Sequence, residues 1–111
     1  MDLKPGTIKH LQEYSVAKIN ERGFEDENLH ERLLLLTEEI GELVKACRKL
    51  SGIKVDSKKE YLHSAGEELA DVLNMTFAVG IELGLDIEKE FIEKNNDVDK
   101  RVYVREGKLH K

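Results

Sequence analysis

The chain of 111 residues is long enough for one domain with its own core, yet short enough for oligomerisation to add to its stability. Its formal net charge of −5, with acids and bases interleaved, leaves no basic patch, so we do not expect nucleic acid as a partner. No segment approaches the roughly 18 unbroken apolar residues of a membrane span, and the amino terminus lacks the apolar core of a signal peptide. The single cysteine, Cys47, cannot form an internal disulfide and is expected as a small buried thiol in a reducing compartment. We therefore expect a cytoplasmic protein.

Helical periodicity of apolar residues runs through almost the whole chain, without a convincing alternating strand pattern, and this predicts an all-α fold. The first helix is expected from about Pro5 to Arg22, with Gly23 as its stop. The second is expected from about 28 to 50, where Asn28 and Glu31 form a capping pair and Ser51-Gly52 ends the helix.

The third predicted helix opens with a capping box from Ser57 to Glu60 and continues to Gly84. Asp86 is expected to cap a fourth helix that reaches about Tyr103. Residues 1–103 then form one all-α domain, and residues 104–111 form a polar tail.

The second and third helices are apolar over much of their circumference. The apolar side of the second carries Leu29, Leu33, Leu36, Ile40, Leu43 and Cys47, and that of the third carries Leu62, Leu69, Val72, Leu73, Phe77 and Leu83. Helices of this kind are buried on more than one side, and four helices cannot cover them internally. The pattern predicts a four-helix-bundle-like subunit that oligomerises through its long helices, as a homodimer or homotetramer.

Two acidic clusters lie within these apolar segments. Glu39 and Glu42 share one helical face, as do Glu68 and Asp71, because three residues nearly complete one turn. A divalent cation makes several carboxylates in one place favourable, and oxygen donors alone suit Mg²⁺ or Mn²⁺. Charged residues on helices are more often a solvated face, but flanking Leu, Ile, Val and Ala distinguish these two clusters from such a face.

Glu38-Glu39-x-x-Glu42, followed by Glu68-x-x-Asp71, resembles the paired signature of the MazG-like all-α nucleoside triphosphate pyrophosphohydrolases, the superfamily of dimeric dUTPases and dCTP pyrophosphatases. The resemblance covers residues 28–103 and implies that fold. It also implies Mg²⁺-dependent cleavage of a (d)NTP to a (d)NMP and pyrophosphate, with clearance of non-standard nucleotides as one expected role.

The resemblance also implies residue roles. Glu39, Glu42, Glu68 and Asp71 correspond to the metal ligands, with Mg²⁺ as the cofactor and Mn²⁺ as its substitute. Glu39 is the preferred residue to orient the attacking water. Glu38 is expected to be either a further ligand or a group behind the ligands, and helical geometry alone does not separate it from Glu39.

The family also places basic and amide side chains of its last helix against the phosphates. Lys94, Asn95 and Arg101 lie in the corresponding region, with the register between Asn95 and Asn96 open. Cations at the carboxyl end of a helix also complement its dipole. Asn74, one turn after Asp71, is expected either to contact sugar or phosphate or to bond to a helix carbonyl.

The sequence also allows alternative hypotheses for the function. Glu27-x-x-His30 and Glu60-x-x-His63 resemble the ligand pairs of a ferritin-like di-iron bundle, and a non-enzymatic helical dimerisation module needs no metal at all. Within the same superfamily, phosphoribosyl-ATP pyrophosphohydrolases typically carry a Tyr-His pair after the aspartate that corresponds to Asp71. This chain has other residues there, so that activity is less expected. The preferred base stays open, with Tyr14, Asn28 and Arg32 as the residues available to contact it.

Overall fold

The computed structural model describes residues 7–51, 58–100, 103–105 and 108–110. Four helices are described, α1 (Ile8–Glu21), α2 (Leu29–Ser51), α3 (Lys58–Glu82) and α4 (Ile87–Asp99), followed by two short strands, β1 (Tyr103–Arg105) and β2 (Lys108–His110). The predicted helical architecture is therefore confirmed for the four helices. Pro5 and Ser57, the predicted start of the first helix and cap of the third, lie outside the described residues.

Side-chain caps fix where the helices begin. The Thr7 hydroxyl accepts from the His10 amide at the start of α1, and the Asp86 carboxylate accepts from the Lys89 amide at the start of α4. At α2, the Glu31 amide donates to Asn28 Oδ1 at 2.9 Å and the Asn28 amide donates to Glu31 Oε1 at 3.3 Å. This reciprocal pair is the capping box that the sequence predicts, and it satisfies two amides that the helix itself leaves without partners.

Glycine in the left-handed region follows two of the helices. Gly23, with φ of 77°, follows α1, and Gly84, with φ of 70°, follows α3. A side chain is strained at these angles, so glycine lets the chain leave each helix at the predicted place.

The carboxyl-terminal segment differs from the prediction. The fourth helix ends at Asp99 rather than near Tyr103, and part of the expected polar tail forms an antiparallel hairpin in which Tyr103 pairs with His110 and Arg105 with Lys108. The sequence around Val102, Tyr103 and Val104 is rich in residues that favour strands.

The two long helices α2 and α3 form the largest contact among the described elements. They run antiparallel, because the start of α2 contacts the end of α3 at Arg32 and Ala78, whereas Lys49 near the end of α2 lines the same groove as Glu60 near the start of α3. Near one end, Arg32 Nη1 of α2 donates to the carbonyl of Ala78 on α3 at 2.9 Å. Helix α1 packs on α3 and α4, and the Gln12 amide locks it to the α3–α4 turn. Its Nε2 donates to the Leu85 carbonyl at 2.7 Å, and its Oε1 accepts from the Ile87 amide at 2.9 Å.

The core of the single chain is small. Among the described residues, the buried apolar side chains are Ala46 of α2 and Ala65, Phe77 and Ala78 of α3. Much of the apolar side predicted for the long helices is instead exposed, including Leu33, Ile40, Leu62, Leu69, Leu73 and Leu83. Cys47 is also exposed, so the prediction of a buried thiol is wrong for the single chain. The second helix turns its narrow Ala46 side, not the Cys47 side, toward α3.

Candidate functional site

Three carboxylates from the two acidic clusters meet between α2 and α3. One oxygen each of Glu39, Glu68 and Asp71 lies within 4.8 Å of the others. Glu39 and Glu68 are half-buried, whereas Asp71 is exposed. The antiparallel packing of α2 on α3 places the middle of one helix beside the middle of the other, and this brings residues 29 positions or more apart in sequence into one cluster.

Glu39 lies at the centre of the negative charge. Partial burial raises the pKa of Glu39 above its usual value, and the charges of Asp71, Glu68, Glu38 and Glu42 raise it further, in that order. The side chains of Glu38 and Glu42 are exposed, so they contribute to the field without belonging to the group of three. Removal of Glu39 from water and accumulation of like charges both disfavour its ionised form.

The donor set fits a hard divalent cation. It consists of carboxylate oxygens alone, which suit Mg²⁺ or Mn²⁺, and two of the three side chains are half-buried. No histidine joins this group within the described part of the chain. His63, named in the di-iron alternative, has a side chain 79% exposed and pairs with Glu67 at 3.1 Å. His30 is exposed as well.

A cavity of about 450 Å³ opens among α1, α2 and α3 on one side of the acidic group. Its aromatic and apolar lining comes from Tyr14, Ile19, Phe24, Leu35, Met75 and Ala78, and its polar lining from Ser15, Lys18, Arg22, Glu27 and Asn74. Lys18 Nζ lies 5.6 Å from the centre of the Tyr14 ring. Asn74 is exposed and lines the cavity, one turn beyond Asp71 on α3.

The three residues expected to be available for a base have different positions. Tyr14 lines the cavity, whereas Asn28 caps α2. Arg32 is only 2% exposed, and its guanidinium donates to the Ala78 carbonyl and, at 3.4 Å, to the Phe24 carbonyl. Its Nη1 also lies 3.4 Å from Glu82. Arg32 therefore ties together the backbone of two residues that line the cavity.

A second, smaller opening of about 250 Å³ lies on the other side of the acidic group. This groove, which we call the lysine groove, is lined by Glu42, Lys45, Ala46 and Lys49 of α2 and by Glu60, Tyr61, Ser64 and Glu68 of α3. Lys45 and Lys49 are not among the site residues that the sequence pattern predicts. Both lie on the helical side of Glu42, at steps of three and four residues, which was the available signal, but lysines at that spacing more often form a solvated face.

The predicted phosphate contacts on α4 are not brought to this site within the described residues. Helix α4 packs on α1, and neither Lys94 nor Asn95 lines the cavity or the lysine groove. The Asn95 amide donates to the Phe91 carbonyl of its own helix at 2.8 Å. Arg101 lies outside the described residues.

Comparison with known proteins leaves the family open. No model of a protein family matches the chain, and no curated protein sequence matches it either. None of the described helices combines the length and apolar character that crossing a membrane requires.

Proposed function

We propose that the protein is a Mg²⁺-dependent nucleoside triphosphate pyrophosphohydrolase that converts a (d)NTP to a (d)NMP and pyrophosphate. The observation that carries this proposal is the convergence of Glu39, Glu68 and Asp71 between a cavity with aromatic lining and a groove with two lysines. A nucleoside triphosphate has the matching order of parts, with an aromatic base and sugar at one end, the α–β anhydride bond in the middle, and the strongly anionic β- and γ-phosphates at the other end.

The metal role follows from charge. A triphosphate and several carboxylates repel one another, and bound Mg²⁺ neutralises that contact and polarises the phosphoryl oxygens. Glu39, Glu68 and Asp71 would hold the ion. Glu42 is exposed, one turn from Glu39 and outside this group of three, so it would become a fourth ligand by turning its side chain toward the ion. Mn²⁺ has the same preference for oxygen donors and would substitute.

The hydrolysis needs a water held in line with the bond that breaks. The half-buried Glu39 carboxylate would accept a hydrogen bond from that water and so orient its lone pair toward phosphorus. The water oxygen would add to the α-phosphorus and its proton would pass to the Glu39 carboxylate. The bond from the α-phosphorus to the bridging oxygen would break, and pyrophosphate would leave with those electrons. Glu38, whose side chain is exposed, would act through its charge on Glu39.

The cavity is the proposed place for the base and sugar. Tyr14 and Phe24 offer ring faces for stacking, and Asn74, at the border with the carboxylates, offers an amide for sugar or phosphate. The phosphate role of Lys94, Asn95 and Arg101 stays part of the proposal. Since α4 packs on α1, a contact from these residues calls for a second protomer or for movement of α4.

We also propose that the chain assembles as a homodimer or homotetramer, because apolar side chains of α2 and α3 are left exposed. Leu33, Ile40 and Val44 are 43–53% exposed on α2, and Leu62, Leu69 and Leu73 are 47–57% exposed on α3. In both helices these residues follow the same spacing of seven and four, so each set forms a stripe along one side.

The two stripes lie on one face of the α2–α3 pair. Glu42 lies two residues from both Ile40 and Val44, and Asp71 lies two residues from both Leu69 and Leu73. Two residues correspond to about 200° around a helix, so each acid lies nearly opposite the apolar stripe of its own helix. The stripes therefore share the face that points away from the acids. Covering the exposed half of each side chain contributes on the order of 1 kcal/mol, and a two-fold axis doubles the six residues.

The function is tested by incubating the full chain with each natural NTP and dNTP, and with oxidised and deaminated ones, in the presence of Mg²⁺. Pyrophosphate and orthophosphate are measured separately. We expect equal amounts of monophosphate and pyrophosphate, complete loss of activity in EDTA, and recovery on addition of Mg²⁺ or Mn²⁺.

Glu39→Gln and Glu42→Gln should abolish this activity while circular dichroism shows an intact helical fold, and Glu67→Gln, an exposed substitution of the same kind on α3, serves as the control. Orthophosphate as the only phosphate product, or activity that survives removal of the metal, would refute the proposal. A Glu39→Gln variant that behaves like the unmodified chain would favour the alternative hypothesis of a non-enzymatic helical dimerisation module.

A further inference from the structure

We propose that the lysine groove binds the pyrophosphate end of the substrate, with Lys45 and Lys49 contacting the β- and γ-phosphate oxygens. The inference rests on the proposed function and adds to it the direction in which the substrate lies. It adds phosphate contacts on α2, a helix for which the sequence predicts metal ligands and, at Arg32, a residue available to contact the base.

The direction follows from the order of residues along α3. Asn74, Met75 and Ala78 of the cavity follow Asp71 in the chain, whereas Tyr61 and Ser64 of the lysine groove precede Glu68. With a rise of about 1.5 Å per residue, Asn74 lies roughly 9 Å along the axis on one side of Glu68, and Tyr61 roughly 10 Å on the other. The carboxylates therefore separate the two openings.

A substrate whose α–β anhydride lies at the carboxylates extends in both directions from them. The base belongs in the cavity, because its rings and apolar side chains are there. The leaving phosphates then extend toward the groove, whose two cations lie on α2. The reverse orientation would place the aromatic base among charged side chains and the phosphates beside Met75, Leu35 and Ala78. The cavity lining also contains two cations, but Lys18 already pairs with Glu21 at 3.1 Å and Arg22 shares the lining with Glu27.

The groove has the donors that a polyphosphate needs. Lys45 and Lys49 are four residues apart on α2 and present two ammonium groups on one side of it. Across the groove, Tyr61 and Ser64 of α3 add two hydroxyl groups. Charge-assisted bonds from lysine to phosphate are the stronger kind, and neither lysine lies within 4 Å of a carboxylate among the described residues.

The groove also contains three carboxylates, and they act differently. Glu42 and Glu68 adjoin the proposed metal, which offsets their charge. Glu60 lies at the far end of the groove, about two turns of α3 before Glu68, without such a counter-ion. Glu60 should therefore weaken pyrophosphate binding, and its removal should strengthen it.

The experiment measures binding rather than turnover. Inorganic pyrophosphate is titrated calorimetrically into the full chain in saturating Mg²⁺, and Mn²⁺ affinity is measured separately without pyrophosphate. The variants are Lys45→Gln with Lys49→Gln, Glu60→Gln, and Lys89→Gln on α4 as the control, since Lys89 is exposed and lines neither opening.

We expect the double lysine variant to bind pyrophosphate at least about tenfold more weakly, the change that a loss of about 1.4 kcal/mol produces. Its Mn²⁺ affinity should stay the same or rise, because two positive charges near the ion are gone. Weaker pyrophosphate binding with unchanged or stronger Mn²⁺ binding separates a lost phosphate contact from a damaged fold, because a damaged fold would weaken both. Glu60→Gln should tighten pyrophosphate binding about twofold or more, and Lys89→Gln should change neither affinity.

Two results would overturn the inference. One is unmeasurable pyrophosphate binding by the unmodified chain in Mg²⁺, and the other is equal pyrophosphate affinity in the double variant and the unmodified chain. Loss of pyrophosphate binding in the double variant, together with no cleavage of any triphosphate by the unmodified chain, would leave the groove as a polyphosphate site and refute only the proposed hydrolysis.

Discussion

Replacement of Asp71 by Asn tests the acidic group through stability as well as activity. The substitution nearly preserves volume but removes one charge from a group whose oxygens lie within 4.8 Å of one another. Two unit charges at that distance repel by about 1 kcal/mol in a water-like dielectric. Asp71 is exposed, so the water-like value applies, and salt at 0.1 M reduces the sum over Glu39 and Glu68 to about 1 kcal/mol.

Without metal, Asp71→Asn should therefore be more stable than the unmodified chain, by about 1 kcal/mol or roughly 4 °C in melting temperature for a domain of this size. With metal, the order should change. At a Mg²⁺ concentration 100 times Kd, binding stabilises the native state by about 2.7 kcal/mol, and a variant with tenfold weaker affinity gains only about 1.4 kcal/mol.

The assay is thermal unfolding at fixed protein concentration in EDTA and across a Mg²⁺ series. Asp97→Asn on α4, an exposed aspartate outside the acidic group, provides the matched control and should follow the unmodified chain under all conditions. An equal Mg²⁺-induced shift in Asp71→Asn and the unmodified chain would remove Asp71 from the ion site. A lower melting temperature of the variant in EDTA would refute the repulsion argument.

Three further predictions address pH, assembly and the buried arginine. Because the native pKa of Glu39 lies above its usual 4.5, the native state binds more protons than the unfolded state between pH 4.5 and the native pKa, and the free energy of unfolding without metal should fall as pH rises through that window. In urea titrations, Glu39→Gln should flatten this dependence on pH, and an unchanged slope would contradict the prediction. Ile40→Asp and Leu69→Asp should each convert the oligomer to a monomer in sedimentation velocity, whereas Phe91→Asp, similarly exposed but on α4, should not. If the unmodified chain sediments as a monomer at micromolar concentration, the proposed assembly is refuted. Arg32→Met should lower the free energy of unfolding by about 2–4 kcal/mol, because Ala78, Phe24 and Glu82 lose a buried partner. The Glu82 side chain is 34% exposed, so Glu82→Gln should lower the free energy of unfolding far less; an equal decrease in both variants would place the stabilisation in the ion pair instead.

The local signals in the sequence were sufficient for the four helices and for the ends marked by a cap or a glycine, but not for the end of α4 at Asp99. Asn28 with Glu31, Asp86, Gly23 and Gly84 each act within one turn of the chain, through a side-chain cap or a permitted positive φ. Local signals of this kind are readable because donor, acceptor and backbone angle belong to neighbouring residues. The spacing of Glu68 and Asp71 on one helical face is equally local, and so the two acidic clusters could be recognised separately.

The meeting of those clusters depends on how α2 packs on α3. Helical spacing predicts which residues share a face, but the rotation of one helix against another depends on side-chain volumes across the whole contact. Small residues such as Ala46 and Ala65 allow that contact, turning Glu39 toward Glu68 and leaving Cys47, Ile40 and Leu69 exposed. The sequence by itself therefore determined the helices and the candidate ligands. Only the tertiary structure decided that Glu39 joins Glu68 and Asp71, that Arg32 is buried, and that Lys45 and Lys49 face the same groove, because each of these depends on contacts between distant parts of the chain.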